Sequence, residues 1–227
     1  KGLLFMNLSV SGFLFLFILL PKAVLGAPDQ AGMALNAFNT ERPGYGFDHH
    51  KPNQKANYAM TNAIYTSAAI LLEKKTKAQK SADWLVENLA HNQRYGWPFP
   101  FSYLSAGKSQ NESTTIYAPA QAFGIKALLD TYCATKVKKY LNAAQNALDY
   151  FAKFKTNTSH GYYLWYSDNP NDNINVPNTN ALLMGQYARA AKILDSKKYK
   201  EISENIFTDL WKSRFVNIKG TFWPYSD

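Results

Sequence analysis

GYYLWYSDNP, residues Gly161–Pro170, carries four large aromatic rings and then an acid, an amide and a proline. A buried strand rarely finishes this way, because proline cannot donate to a ladder and Asp and Asn favour turns. A plain surface loop has little use for four rings. Two other stretches share the build: GWPFPFSY, Gly96–Tyr103, and GTFWPYSD, Gly220–Asp227. Their leading glycines stand 65 and then 59 residues apart (96, 161, 220). A period of this size points to repeated supersecondary units, and what lies between the loops identifies the unit.

Between the loops the apolar residues recur at helical spacing, in pairs of segments. Residues 57–73 read as a helix with Ala59, Met60, Ala63, Ile64, Ser67, Ile70 and Leu71 on one face, and 77–92 as a second around Trp84, Leu85 and Leu89. Thr115–Tyr132 is rich in small residues, and Val137–Phe154 is strongly amphipathic through Tyr140, Leu141, Ala144, Ala147, Leu148 and Phe151. The third pair is Asn180–Leu194 and Tyr199–Trp211. One helix of each pair suits a crowded inner position and the other an outer one with a wet face. Helix, helix, aromatic loop is the unit of an all-α (α/α) toroid, with inner helices around an axis, outer helices wrapping them, and the loops on one rim. About three hairpins are visible in residues 56–227, where a closed toroid takes five to seven, so the expectation is an incomplete ring.

Composition bounds the partners. The chain has 227 residues, 46% apolar and 15% aromatic, with a formal net charge of +9. The charge favours an acidic partner. The lysines and the aromatics occupy different segments, however, which argues against nucleic acid. Leu8–Leu20 is an apolar run too short to span a bilayer comfortably, followed by Pro21 and by Val24-Leu25-Gly26, which reads as a signal-peptidase site. Residues 1–26 are therefore read as a signal peptide or uncleaved N-terminal anchor, and the protein as exported, secreted or periplasmic. Membrane contact is expected only through that segment. Losing 1–26 removes Lys1 and Lys22 and leaves +7. Residues 27–55 read as an irregular lead-in. The single cysteine, Cys133, makes no internal disulfide and is read as a small buried apolar residue. His49 and His50 are adjacent, yet no second cluster has ligand spacing, so no metal is expected. No phosphate loop, GxSxG elbow or HExxH stretch occurs, and no cofactor is implied.

The rim loops offer Trp97, Phe99, Phe101 and Tyr103, then Tyr162, Tyr163, Trp165 and Tyr166, then Phe222, Trp223 and Tyr225. Sugar rings present apolar C–H faces that stack on aromatic planes, and their hydroxyls need polar partners alongside. Trp97, Tyr117, Trp165, Tyr166 and Trp223, with Asn178 and Asn180, are the candidate binders of a polysaccharide or oligosaccharide. Some of the rings, Phe101 and Tyr163 in particular, are expected to plug space between hairpins. Polar residues crowd the loop-to-helix junctions (Asn111–Thr114; Asp168, Asn169, Asp172, Asn178), where helix capping is the competing duty.

On these residues the stretch Tyr117–Asp227 resembles the C-terminal helical domain of D-glucuronyl C5-epimerases, within the wider group of six-hairpin glycosidase-like toroids. The likeness rests on the inner helix from Gln121 to Leu129, Tyr140-Leu-Asn-Ala-Ala, Trp165–Pro170, Val176–Gly185 and Trp223-Pro-Tyr225. Ser167 and Asn169 stand where that family has an acid and a tyrosine, Tyr225-Ser226 replaces its Tyr-Asp, and its upstream β-sheet region has no counterpart in residues 1–55. The resemblance implies proton abstraction at C5 of a uronate, with Asp168 and Tyr225 as acid and base on opposite faces and Asn178 holding the carboxylate. A uronate lyase would share that first step. A hydrolase of the six-hairpin type would need two carboxylates, Asp168 and Asp227. A non-catalytic helical-repeat module binding glycan or protein is the alternative from another class.

Overall fold

A computed structural model describes residues 45–48, 51–91, 93–105 and 109–223. Residues 1–44, with the expected leader, lie outside the described residues, as do His49, His50, Tyr225 and Asp227. The part of the lead-in that is described is regular rather than irregular. Strands β1 (Tyr45–Asp48) and β2 (Lys51–Asn57) form an antiparallel pair. Neither has the alternation that marks a half-buried strand, and β2 carries a proline, so no strand signal is legible here.

Six α-helices follow among the described residues, as three hairpins: α1 (Ala59–Leu71) with α2 (Lys75–Glu87), α3 (Ala118–Thr135) with α4 (Lys138–Phe151), and α5 (Pro177–Leu194) with α6 (Lys197–Lys212). α3 packs on α1 and α5 on α3, so the first helix of each hairpin is the inner one, as its small residues require. Each outer helix runs into a short antiparallel ribbon: β3 (Ala90–His91) with β4 (Arg94–Tyr95), β7 (Lys155–Asn157) with β8 (Tyr162–Leu164), and β9 (Phe215–Asn217) with β10 (Gly220–Phe222). A further ribbon, β5 (Tyr103–Ser105) with β6 (Ser109–Asn111), lies between the first rim loop and α3. The ribbons after α2 and α4 lie on the path from an outer helix to the next inner one, and the ribbon after α6 leaves its outer helix in the same way.

The inner helices begin alike. Tyr58, Tyr117 and Val176 are extended residues that end the incoming loop, and none of the three helices has a side-chain cap. The fourth residue of each helix is a buried amide: Asn62, Gln121 and Asn180, each 59 positions after the last (62, 121, 180). Asn180 accepts from Leu164 N–H at 2.8 Å and donates to Leu164 C=O at 3.0 Å, gripping β8 by both backbone groups of one residue. Gln121 Nε2 donates to Tyr95 C=O of β4 at 3.0 Å. Asn62 instead stays within its own hairpin, bonded to Tyr58 C=O and Ser81. The ends of α3 and α5 also match. Lys136 and Asp195 take left-handed conformations (φ 62° and 48°) that bend the chain sharply into the outer helices.

Parts of the first two rim loops are buried by the hairpin that follows them. Trp97, 1% exposed, lies flat on α3 at Gly124, where a Cβ would come within 2.4 Å of the indole. Its Nε1–H donates to Leu85 C=O of α2 at 3.0 Å. Gly161 sits against the Asn205 carbonyl of α6, with room for no side chain. Cys133 is exposed, against the expectation of burial. It lies on the solvent face of α3, whose inward face is already taken by Ile125, Leu128 and Leu129.

Asn180→Ala strands two buried backbone groups of Leu164 at roughly 1–3 kcal/mol each, so thermal or urea unfolding is expected to show a loss of about 2–5 kcal/mol. Gly124→Ala is expected to lower stability by displacing Trp97. An unchanged midpoint for either variant would contradict the grip or the close approach.

Candidate functional site

The rim is stitched together by residues 116–118, which lie between two loops. Ile116 bridges to Pro98 of the first loop, and Tyr117 bridges to Ser167 of the second. Ala118 N–H donates to Tyr166 C=O at 2.9 Å, and Asp168 N–H to Ile116 C=O at 3.0 Å. This short ladder brings the aromatic residues of two distant stretches into one cluster. Phe99 stacks on Phe101 with centroids 5.4 Å apart, and Phe99 and Tyr117 are 4.5 Å apart. Tyr103 meets both Phe99 and Tyr117 edge-on, at 5.4 and 5.1 Å. Tyr117 and Tyr166 lie edge to face at 4.7 Å with their hydroxyls hydrogen-bonded. Phe101 is buried beneath, while Tyr117 and Tyr166 are half-buried. Burial lifts the Tyr103 phenol well above its usual range, with the nearby Asp172 carboxylate adding to the effect.

Below the cluster, Asp168 is a knot. Its side chain is 2% exposed. One oxygen accepts from Ile116 N–H at 2.9 Å. The other accepts from Arg94 Nε at 3.0 Å, from Arg94 Nη2, and from the Tyr150 hydroxyl at 2.6 Å. One carboxylate thereby ties β4, the start of α3, the end of α4 and the second loop. Burial pushes the Tyr150 phenol up to about 12, and the hydrogen bond to Asp168 acts in the same direction. Four donors thus converge on the Asp168 carboxylate. A second polar set surrounds Asn111, whose amide bonds Asp172, Ser167 and Asn169. Asn169 also caps the short 3-10 turn Pro170–Asp172 by accepting from Asn171 N–H.

The sequence-picked residues therefore divide. Tyr117 and Tyr166 come together, directly beside Asp168. Trp165 is half-buried; its Nε1–H donates to Thr156 at 2.9 Å and its ring leans on Phe154. Trp97 fills the space between hairpins and presents no face to a ligand, a correction that follows from its flat seat on Gly124. Asn180 is likewise committed to Leu164 rather than to the rim surface. Asn178 is exposed in the first turn of α5, its amide oxygen accepting from Thr179 N–H at 2.8 Å. Trp223, on the third loop, donates to Leu210 C=O at 2.7 Å and keeps its ring partly exposed. Tyr225 lies outside the described residues. Tyr163, expected to plug a gap, is half-exposed and bonds the Asn173 carbonyl. Arg94 and Tyr150 were not visible as site residues in the sequence. They are 74 and 18 residues from Asp168, and no spacing rule links them to it.

Comparison with solved structures places the architecture. An endoglucanase from Komagataeibacter sucrofermentans superposes with a TM-score of 0.64 at 12% identity, over 88% of this chain and 62% of that one. The fold is the (α/α) toroid. The GH76 α-mannanase BT2949 of Bacteroides thetaiotaomicron matches with a TM-score of 0.54 at 16% identity, over 80% of this chain and 48% of that one. A D-mannose isomerase matches with a TM-score of 0.54 at 16% identity, over 77% of this chain and 49% of that one. At these identities the likeness is one of fold, and the chain spans roughly half to under two thirds of each structure's length. No family model matches the sequence, and no curated protein does. Among the described residues no helix is long and apolar enough to cross a membrane.

Asp168→Ala removes the common acceptor of four donors and leaves Arg94 unpaired. Because Arg94 is itself about a third exposed, the expected cost is near the lower end of the 3–5 kcal/mol typical of a broken buried pair, about 3 kcal/mol. Asp168→Asn, which can still accept from Ile116, should cost less. Since Tyr150 is held neutral to about pH 12 when folded, against 10.0 when unfolded, its contribution is complete below pH 10 and lost as the pH rises from 10 to 12. A stability loss between pH 10 and 12 no smaller in Tyr150→Phe than in wild type would contradict this.

Proposed function

We propose that this toroid segment is a carbohydrate-active domain that binds a polysaccharide along its aromatic rim. The observation that carries the reading is the half-buried Tyr117–Tyr166 pair, flanked by Phe99 and Tyr103, with the partly exposed amide of Asn169 three residues beyond Tyr166. Aromatic planes beside amides and hydroxyls are what a sugar ring requires, with apolar faces to stack and hydroxyls to bond. The fold adds support, because the solved structures that share it are named as a glucanase, a mannanase and a mannose isomerase.

The uronate reading is the finer proposal within this one. It is supported by the resemblance of Trp165–Pro170 and by the charge of the chain. Two cations lie on ring faces close to the second loop: Lys153 Nζ is 5.5 Å from the Tyr150 centroid and Lys155 Nζ is 4.4 Å from that of Tyr162. C5 chemistry would use Asp168 and Tyr225, and it requires Asp168 to exchange a present donor for the substrate. The knot at Asp168 therefore favours binding over catalysis by that residue. Export through residues 1–26 completes the proposal, since an external polysaccharide is met outside the cell.

Titration with cello-, α-manno- and glucuronan oligosaccharides is expected to perturb tyrosine and tryptophan fluorescence for at least one class. Tyr166→Ala should weaken that ligand about tenfold, the equivalent of about 1.4 kcal/mol. No response to any of the three classes would sink the carbohydrate reading. Deuterium incorporation at C5 of the uronan in heavy water is expected if the finer reading holds, and its absence would leave binding without that chemistry.

A further inference from the structure

We propose that the end of the molecule opposite the rim is a basic face that docks on an anionic lipid surface. The proposal goes beyond the carbohydrate reading and does not rest on it. Along the sequence the lysines lie in short, separate runs, and the fold gathers them. Lys126 donates to Ser67 and Arg189 to Asp130, each across adjacent inner helices and each to the residue 59 positions before it. α1, α3 and α5 are therefore parallel and in register, and the turns at their far ends lie side by side. Those turns, residues 72–77, 135–140 and 194–200, hold nine lysines, all exposed, against two acids, Glu73 and Asp195. They carry a formal +7 of the chain's +9.

Helix stability does not ask for this placement. The positive end of a helix dipole favours an acid, yet the first turns of α2, α4 and α6 hold none. Lys75, Lys138, Lys139, Lys197 and Lys198 stand there instead. Two of the five have structural work: Lys139 and Lys198 reach back to Asp83 and Asp149 of the preceding outer helix, both at 2.7 Å. Lys75, Lys138 and Lys197 are in no ion pair among the described residues. The carbonyl ends of α1, α3 and α5 offset part of the positive field, and Lys136 closes one of them as a helix end prefers. The unpaired lysines of the first turns have no such duty. Like charge set against the dipole at the same end of three hairpins marks a face completed by an anionic partner.

Exposed aliphatics among the lysines select the partner. Leu71, 64% exposed, ends α1 three residues before Lys74, and Val137, 38% exposed, stands between Lys136 and Lys138. A soluble polyanion gains nothing from aliphatic tips. A protein lying on a bilayer sinks them between the headgroups while its lysines hold the anionic charge. Inner helices of 13 to 18 residues separate this face from the rim by roughly 20–27 Å, so docking leaves the Tyr117–Tyr166 pair facing away from the lipid. The contact is separate from the one expected of residues 1–26.

Sedimentation of the whole chain with vesicles tests this, using phosphatidylcholine alone and an equal mixture of phosphatidylcholine and phosphatidylglycerol. Any binding through the apolar run Leu8–Leu20 is common to both lipids and to every variant, so the readout is the gain on adding the anionic lipid. Wild type should show that gain at low ionic strength and lose most of it in about 0.5 M salt. Lys138→Glu with Lys197→Glu should cut the gain about tenfold or more. Lys212→Glu with Lys219→Glu, the same change of charge away from this face, should cut it far less. The first pair places acids at helix starts, so its melting temperature should hold or rise, which separates lost binding from lost folding. Leu71→Ser with Val137→Ser should weaken vesicle binding and leave retention on immobilised polyglutamate unchanged. No gain on the anionic vesicles overturns the proposal, as does an equal loss in the two lysine pairs. Tighter binding to polyglutamate than to the vesicles, or vesicle binding indifferent to Leu71 and Val137, overturns it in favour of a soluble acidic polymer.

Discussion

The rim depends on how an inner helix begins. An extended residue closes the incoming loop, the helix starts without a side-chain cap, and one turn later a buried amide reaches across to the backbone of the preceding ribbon. Asn180 does this to Leu164 with both its oxygen and its nitrogen, and Gln121 does it to Tyr95. A two-stranded ribbon has little stability of its own in water. Held by an amide that replaces the missing third strand, it becomes a fixed ledge. The aromatic side chains on such ledges then have defined positions, which a ligand surface needs and an unsupported loop cannot give.

Asp168 adds a second constraint. The amide grips join each hairpin to the loop before it, whereas the carboxylate joins four segments at one point, between the first and second hairpins. Burying a carboxylate is costly unless its oxygens are fully bonded, and here a guanidinium, a phenol and a backbone N–H do so. The residue that looks most catalytic in the sequence is thus held by four donors in the fold. The tyrosine pair beside it, stitched by the Tyr117–Ser167 bridge, is half-buried, and its hydroxyls bond one another.

Much of this was legible in the sequence. The loop spacing of 59 to 65 residues, the division into small-residue and amphipathic helices, and the aromatic loops predict hairpins with a common rim, because periodicity reports which face of a helix is buried. The same reasoning placed Tyr117 and Tyr166 at the rim and Phe101 below it. It failed for Trp97, because Trp97 and Trp165 look alike in a loop and only the glycine at position 124 makes a bed for one of them. It failed for Cys133, which the helical pattern leaves close to the boundary of the buried stripe.

The sequence by itself determined the repeat, the helix class, the rim and its aromatic character, since these follow from local spacing and residue type. Only the tertiary structure decided which rings are open, that Asn180 grips a strand, and that Arg94 and Tyr150 converge on Asp168. Those facts depend on contacts between residues far apart in the chain, and a hydrogen bond across 74 positions leaves no periodic trace in the residues between.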